Sequence, residues 1–233
     1  MPPVDELLTY LFEGNKTAFT PEFENWVRGS RRFREFAIRY RSKIRSKLKS
    51  ARDEAGLKDI RAELETAWLL LHEERFTLEY ERYTALRQRG PDFTVTFKTH
   101  TPLNIEVRRM RSVELDDKAD DGRFGKLMAV VCDKVGQMPP SIVNLVWLTT
   151  ERALSADDVT RTMIVLRQRA EQKTEDYFTR RGFKNATDFL RQYHQLSGIV
   201  LRQAGEHTVW LNSLAKHKTP PDVVTAIQRL GKE

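Results

Sequence analysis

Two acidic residues in the middle of the chain, Asp92 and Glu106, lie in segments where polar and apolar residues alternate. This alternation predicts β-strands, in which successive side chains point to opposite faces. Each acid lies opposite the apolar set of its own strand, so the two carboxylates can meet on one face if the strands pair. Together with a backbone carbonyl and waters, they would form the hard oxygen ligand set that Mg²⁺ or Mn²⁺ prefers. A cation held there would lower the pKa of a bound water and offset charge on a phosphodiester.

The elements that would position these residues follow the order helix, three strands, helix, strand. An apolar stripe predicts a helix over about 58–72, alternation predicts strands near 76–81, 92–97 and 103–108, a helix follows over about 123–137, and a buried strand spans 142–148. Beyond residue 152 we expect helices near 156–172, 174–181, 185–196 and 221–230, a strand at 198–201, and a short apolar run at 209–211. The predicted fold class is α/β, or mixed α+β, with a central mixed sheet and helices on both sides. Its expected parts are a basic helical arm (1–56), a core (57–152) and a mostly helical C-terminal region (153–233).

The motif Pro91-Asp92 followed by Glu106-Val107-Arg108 resembles the PD-(D/E)xK nuclease superfamily, which has the restriction-endonuclease-like fold. The element order over about residues 58–150 is similar to the core of that family. The resemblance implies a Mg²⁺-dependent nuclease in which Asp92, Glu106 and the Val107 carbonyl hold the metal. It also implies a helper carboxylate on the preceding helix. Glu63 has the closer spacing, and Glu65 stays open as the alternative.

The family motif has lysine where this chain has Arg108. Arginine can contact phosphate, but its planar guanidinium group cannot release a proton at working pH. Lys134 lies on an otherwise apolar stripe of the following helix, where a charge is costly unless it is paired. We therefore expect Lys134 to reach the Asp92/Glu106 face and to supply the missing cation.

A second signal is the basic segment between Arg31 and Arg52, which has ten Lys or Arg against one acid, Glu35. Apolar residues from Phe33 to Ala51 recur at steps of three and four, which predicts one long helix after Ser30. Such a surface favours salt-dependent contact with phosphates. The residues expected to bind nucleic acid are Arg31, Arg34, Arg41, Lys43, Arg45 and Lys47.

Composition agrees with a polyanionic partner, because the chain of 233 residues has a net charge of +7. Cys132 is the only cysteine, which excludes an intramolecular disulfide and favours a reducing compartment. No secretory signal or membrane-spanning run is found, so we expect a cytoplasmic protein without membrane contact.

The leading hypothesis is a Mg²⁺-dependent nuclease acting on DNA. The alternatives are a nuclease-derived module that binds nucleic acid or a protein without cutting, and an interaction protein whose basic helix meets an acidic surface. The sequence leaves open whether the chain forms a homodimer.

Overall fold

The structure is a computed structural model that describes residues 3–13, 17–85, 90–110, 120–150 and 154–231. The chain forms two compact units, Met1–Phe76 and Thr77–Glu233. The sequence predicts three segments with boundaries at 56 and 152; the helix that begins at Glu54 belongs to the N-terminal unit. No helix within the described ranges combines the length and the apolar character that crossing a membrane requires.

The N-terminal unit is helical. Its helices are α1 (Val4–Phe12), α2 (Thr20–Gly29), α3 (Arg31–Arg39), α4 (Arg41–Ser50) and α5 (Glu54–His72). Its core is aromatic: Phe23 is fully buried and meets the rings of Phe12, Phe19 and Phe33 edge to face. Edge-to-face contact is a favoured geometry for aromatic pairs and adds to the stabilisation from burial.

The prediction of one long basic helix is wrong, because the helix is divided at Tyr40. Ser30 caps α3 by accepting a hydrogen bond from the Phe33 N–H, as its residue type favours. Tyr40 leaves helical geometry at φ −106° and ψ 16°, and α4 begins at the next residue. The reason lies in packing: α3 packs on α2 and α5, while α4 packs mainly on α1.

The C-terminal unit is built on a six-stranded open sheet, so the mixed α/β class is confirmed. The strands are β1 (Phe76–Tyr80), β2 (Phe93–Phe97), β3 (Thr101–Met110), β4 (Val143–Thr150), β5 (Gly198–Gln203) and β6 (Glu206–Leu211), and they lie in chain order. Strands β3, β4 and β5 are parallel, whereas β2 and β6 are antiparallel to their neighbours β3 and β5. The remaining helices are α6 (Arg82–Ala85), α7 (Asp120–Val135), α8 (Ala156–Glu171), α9 (Glu175–Thr179), α10 (Ala186–Tyr193) and α11 (Pro221–Arg229). Each strand and helix predicted for this unit has a counterpart.

One face of this sheet, here called the α7 face, carries an apolar core with helices α7, α8 and α10. Val146 and Leu148 of β4 and Ile199 of β5 pack there against α7 residues such as Val131. Glu106 pairs with Val146 in the β3/β4 register, so its side chain belongs to the same face. The candidate site therefore lies on the part of the α7 face that β3 forms.

Candidate active site on the α7 face

The two predicted carboxylates lie across from each other on adjacent strands. Phe93 of β2 pairs with Ile105 of β3, and the antiparallel register places Asp92 opposite Glu106. The Val107 N–H donates a hydrogen bond of 2.8 Å to Asp92 Oδ2. This bond holds the Asp92 carboxylate beside β3, and the charges of both Asp92 and Glu106 act on the ammonium group of Lys134.

Lys134 reaches the same face from α7. Its ammonium Nζ lies 2.7 Å from Glu106 Oε1, and the two side chains are only 15% and 11% exposed. A second carboxylate, that of Asp133, lies 3.6 Å from the same ammonium but is 64% exposed. The predicted placement of Lys134 is confirmed, and Glu106 is the partner that its burial requires.

The electrostatics of Lys134 are set by opposing effects. Burial acts to lower its pKa, because it disfavours the charged form, but the charge and hydrogen bond of Glu106 act to raise it. Asp133 and Asp92 add smaller contributions in the same direction, and the pKa of Lys134 is raised above its ordinary value of 10.5. Lys134 is therefore a fixed cation at neutral pH rather than a proton donor or acceptor.

The position of Lys134 follows from the apolar stripe of helix α7, which packs into the core. Leu127, Val131 and Val135 are almost fully buried on the core side, and Lys134 lies one turn beyond Val131 at the edge of that stripe. A lysine at this edge can run its apolar stem along the core and set its ammonium group among the carboxylates.

The ligand chemistry of the site suits Mg²⁺. Asp92, Glu106 and the Val107 carbonyl supply only oxygen, and Mg²⁺ is commonly held by one or two carboxylates together with waters. Among the described residues, no group of three or more His, Cys, Asp or Glu is placed to hold a metal ion. A cation here would consequently depend on two carboxylates, backbone oxygen and water.

Arg108 lies two residues beyond Glu106 in β3 and is half-buried. It pairs with Leu148 in the β4 register, and the alternation of strand side chains puts it on the α7 face. Its expected contact with phosphate stays a prediction.

The two helper candidates on α5 belong to the N-terminal unit. Glu63 Oε2 lies 2.5 Å from Lys47 Nζ. Glu65 is buried, and its Oε2 lies 3.6 Å from Arg61 Nη1. The expectation that one of them assists the metal stays a prediction. Sequence reasoning missed the Lys47–Glu63 pair, because it joins two helices whose relative placement no spacing rule gives.

Each residue of the predicted nucleic-acid surface has partners inside its own unit. Arg31 pairs with Glu35, Arg45 with Glu13, and Lys47 with Glu63. Arg41 lies over the Tyr10 ring, Lys43 lies 6.0 Å from the centroid of the Tyr40 ring, and Arg34 donates to the Val27 carbonyl. Glu13 and Glu63 thus neutralise part of a segment that looks uniformly basic in the sequence.

A buried polar network beside the site was also missed. Asn104, two residues before Glu106, donates to Asn144 Oδ1 of β4 at 3.0 Å, and Thr94 of β2 donates to Asn104 Oδ1 at 3.2 Å. The sequence contained a signal for this network, because asparagine is rare in apolar strands and a buried amide side chain needs hydrogen-bond partners. This network ties β2, β3 and β4 together next to the carboxylates.

Comparison of the chain with protein-family models, with curated proteins and with solved structures finds no match.

Proposed function

We propose that this protein is a Mg²⁺-dependent hydrolase of DNA phosphodiester bonds, with the catalytic lysine moved from β3 to α7. The observation that supports the proposal best is the contact of Lys134 with Glu106, directly across from Asp92. It puts two carboxylates and one fixed cation on one face, which is the combination that phosphodiester hydrolysis uses.

In the proposed site Asp92, Glu106 and the Val107 carbonyl hold the metal, which when bound supplies an activated water and offsets charge on the phosphate. Lys134 stabilises the negative charge that grows on the phosphate oxygens in the transition state. Arg108 orients the phosphate through its planar guanidinium group. Mn²⁺ can replace Mg²⁺ because both favour oxygen ligands.

The basic helices α3 and α4 would supply affinity for DNA without choosing a sequence. Their arginine and lysine side chains suit contacts with phosphates, which give binding that weakens steeply with salt. The net charge of +7 acts in the same direction by attracting a polyanion over longer distances.

The deciding experiment measures plasmid and oligonucleotide cleavage with Mg²⁺, with Mn²⁺ and with a chelator. Asp92→Asn and Glu106→Gln should abolish metal-dependent cleavage. Asparagine also keeps an oxygen that can accept the Val107 N–H, so Asp92→Asn tests chemistry with less risk to the fold than alanine would. Asp133→Asn is the matched control, because it removes an exposed acid near the same ammonium. Undiminished cleavage by folded Asp92→Asn and Glu106→Gln would reject the proposed site.

A second candidate is a nuclease-derived module that binds nucleic acid or a protein without cutting. It is favoured by the engagement of both carboxylates within the fold, Asp92 with the Val107 N–H and Glu106 with Lys134. Steeply salt-dependent DNA binding without cleavage under any metal would favour this candidate. An absence of DNA binding at low salt would instead favour an acidic protein partner.

A further inference from the structure

A row of polar side chains crosses the sheet on the face opposite the α7 face. The strand registers pair Arg109 with Thr149, Thr149 with Arg202, and Arg202 with His207. Partners in register share a face, so these four side chains form one line across β3, β4, β5 and β6. The line lies near the carboxyl ends of the three parallel strands, which is where open α/β sheets usually bind ligands.

The row stands out because its neighbours are apolar. The next row on the same face consists of Val107, Trp147, Val200 and Val209. Within the polar row Arg109 and His207 are buried, and Arg202 is half-buried. Arg109 and Arg202 therefore place two guanidinium groups on one largely buried line of this face.

Trp147 and Thr149, beside and within this row, each have a polar atom that lacks a hydrogen-bond partner among the described residues. The Trp147 Nε1–H and the Thr149 hydroxyl are buried, and neither makes a hydrogen bond with any described residue. The Trp147 ring lies 5.1 Å from the His207 ring, so its N–H belongs to the same neighbourhood. Buried polar groups are normally satisfied, and an indole N–H can only donate. The missing partner at Trp147 is therefore a hydrogen-bond acceptor.

We propose that the row Arg109–Thr149–Arg202–His207, with the Trp147 N–H, binds an oxyanion, specifically a phosphate group. Strands are spaced by about 4.8 Å, so Arg109 and Arg202 flank Thr149 from backbones roughly 10 Å apart. Long guanidinium side chains from both sides can converge on one tetrahedral anion above the Thr149 hydroxyl, with fork-shaped contacts to its oxygens. Arg109 and Arg202 also make other contacts. The proposed site requires only that guanidinium N–H groups of both residues reach the anion.

This phosphate site is separate from the candidate active site. Glu106 and Arg109 are three residues apart in β3 and point to opposite faces. A test of phosphate binding and a test of DNA cleavage can therefore give negative results independently of each other. The proposed phosphate site does not depend on the proposed function.

The test is titration calorimetry of the full chain with inorganic phosphate, together with thermal unfolding at the same concentrations. Phosphate should bind and raise the unfolding temperature. Thr149→Val keeps the side-chain shape and should weaken binding about ten-fold, as loss of a hydrogen bond to a charged group does. Arg202→Gln should weaken it by at least as much. The control Arg161→Gln removes an exposed arginine of α8 and should leave phosphate affinity unchanged.

The unliganded Thr149→Val variant should be no less stable than the wild type, because it removes a buried hydroxyl that lacks a partner. Should Arg202→Gln fail to fold, Trp147→Phe takes its place, since it deletes the N–H and keeps most of the ring. No binding at millimolar phosphate, or equal affinity in wild type, Thr149→Val and Trp147→Phe, would overturn the proposal.

Competition experiments identify which class of phosphate compound the site binds. Displacement of inorganic phosphate by a DNA single strand, with affinity lost in Thr149→Val, would identify the nucleic-acid backbone as the ligand. Displacement by a mononucleotide but not by DNA would identify a small phosphorylated compound. Either result supports the site and chooses its ligand.

Discussion

Lys134→Met is the most informative single change, because it removes the ammonium group and keeps most of the length and the apolar stem. The ion pair with Glu106 spans 2.7 Å, and neither side chain is more than 15% exposed. An exposed pair contributes about 0–1 kcal/mol, whereas removing one partner of a fully buried pair costs about 3–5 kcal/mol. This pair keeps slight exposure, so we expect Lys134→Met to lower the free energy of unfolding by about 2–3 kcal/mol.

The assay is urea denaturation of four proteins: wild type, Lys134→Met, Glu106→Gln and the double variant. The double variant leaves no unpaired charge at this contact and should be less destabilised than the sum of the two single variants, by about 1–2 kcal/mol. Lys184→Met, at an exposed lysine in the same unit, controls for the loss of one positive charge. Wild-type stability for Lys134→Met, or strict additivity in the cycle, would refute the ion pair.

Three further predictions concern pH and DNA binding. Because the pKa of Lys134 is raised in the fold, its stabilising contribution is complete below its ordinary value of 10.5 and is lost as the pH rises through the folded-state value. Thermal unfolding of Lys134→Met should lack this alkaline loss. The hydrogen bond from the Arg75 side chain lowers the pKa of Glu73 to about 2, so its contribution is present above 4.5 and is lost as the pH falls towards about 2. Glu73→Gln should remove that part of acid unfolding, and an unchanged acid profile would contradict the assignment. Replacing Arg41 and Lys43 with Gln should flatten the slope of log DNA affinity against log salt by up to about 1.8, at about 0.9 per phosphate contact, and an unchanged slope would show that these residues face another partner.

Local periodicity predicted most of the C-terminal unit. Alternation with a period of two located β2, which spans Phe93–Phe97, because a strand with one apolar face repeats its side-chain orientation every second residue. Helical spacing placed Lys134 beside Val131, and the cost of an unpaired buried charge then required a carboxylate nearby. The sequence therefore predicted where the candidate site lies, but it did not predict the hydrogen bonds within it.

Contacts between segments that are far apart in the sequence could not be predicted from the sequence alone. The break at Tyr40 follows from packing on different helices, which the uniform apolar stripe of α3 and α4 conceals. The pair of Lys47 with Glu63 joins α4 to α5 and changes the charge of the predicted nucleic-acid surface. The row from Arg109 to His207 becomes visible only when three strand registers are known, because its members are scattered over about one hundred residues of sequence.

The contact of Lys134 with Glu106 is compatible with two roles, and the double variant separates them. If the pair only supports the fold, the combination of Glu106→Gln with Lys134→Met should be less destabilised than the sum of the two single variants, and any metal-dependent cleavage by the wild type should persist in the folded double variant. If the pair belongs to a catalytic site, the double variant should show the same partial compensation in stability but lose metal-dependent cleavage. Cleavage is then lost in a protein that still folds, which a purely structural ion pair does not predict. Measuring unfolding and cleavage on the same double variant therefore tests the catalytic role, since a cooperative unfolding transition removes misfolding as the explanation for lost activity.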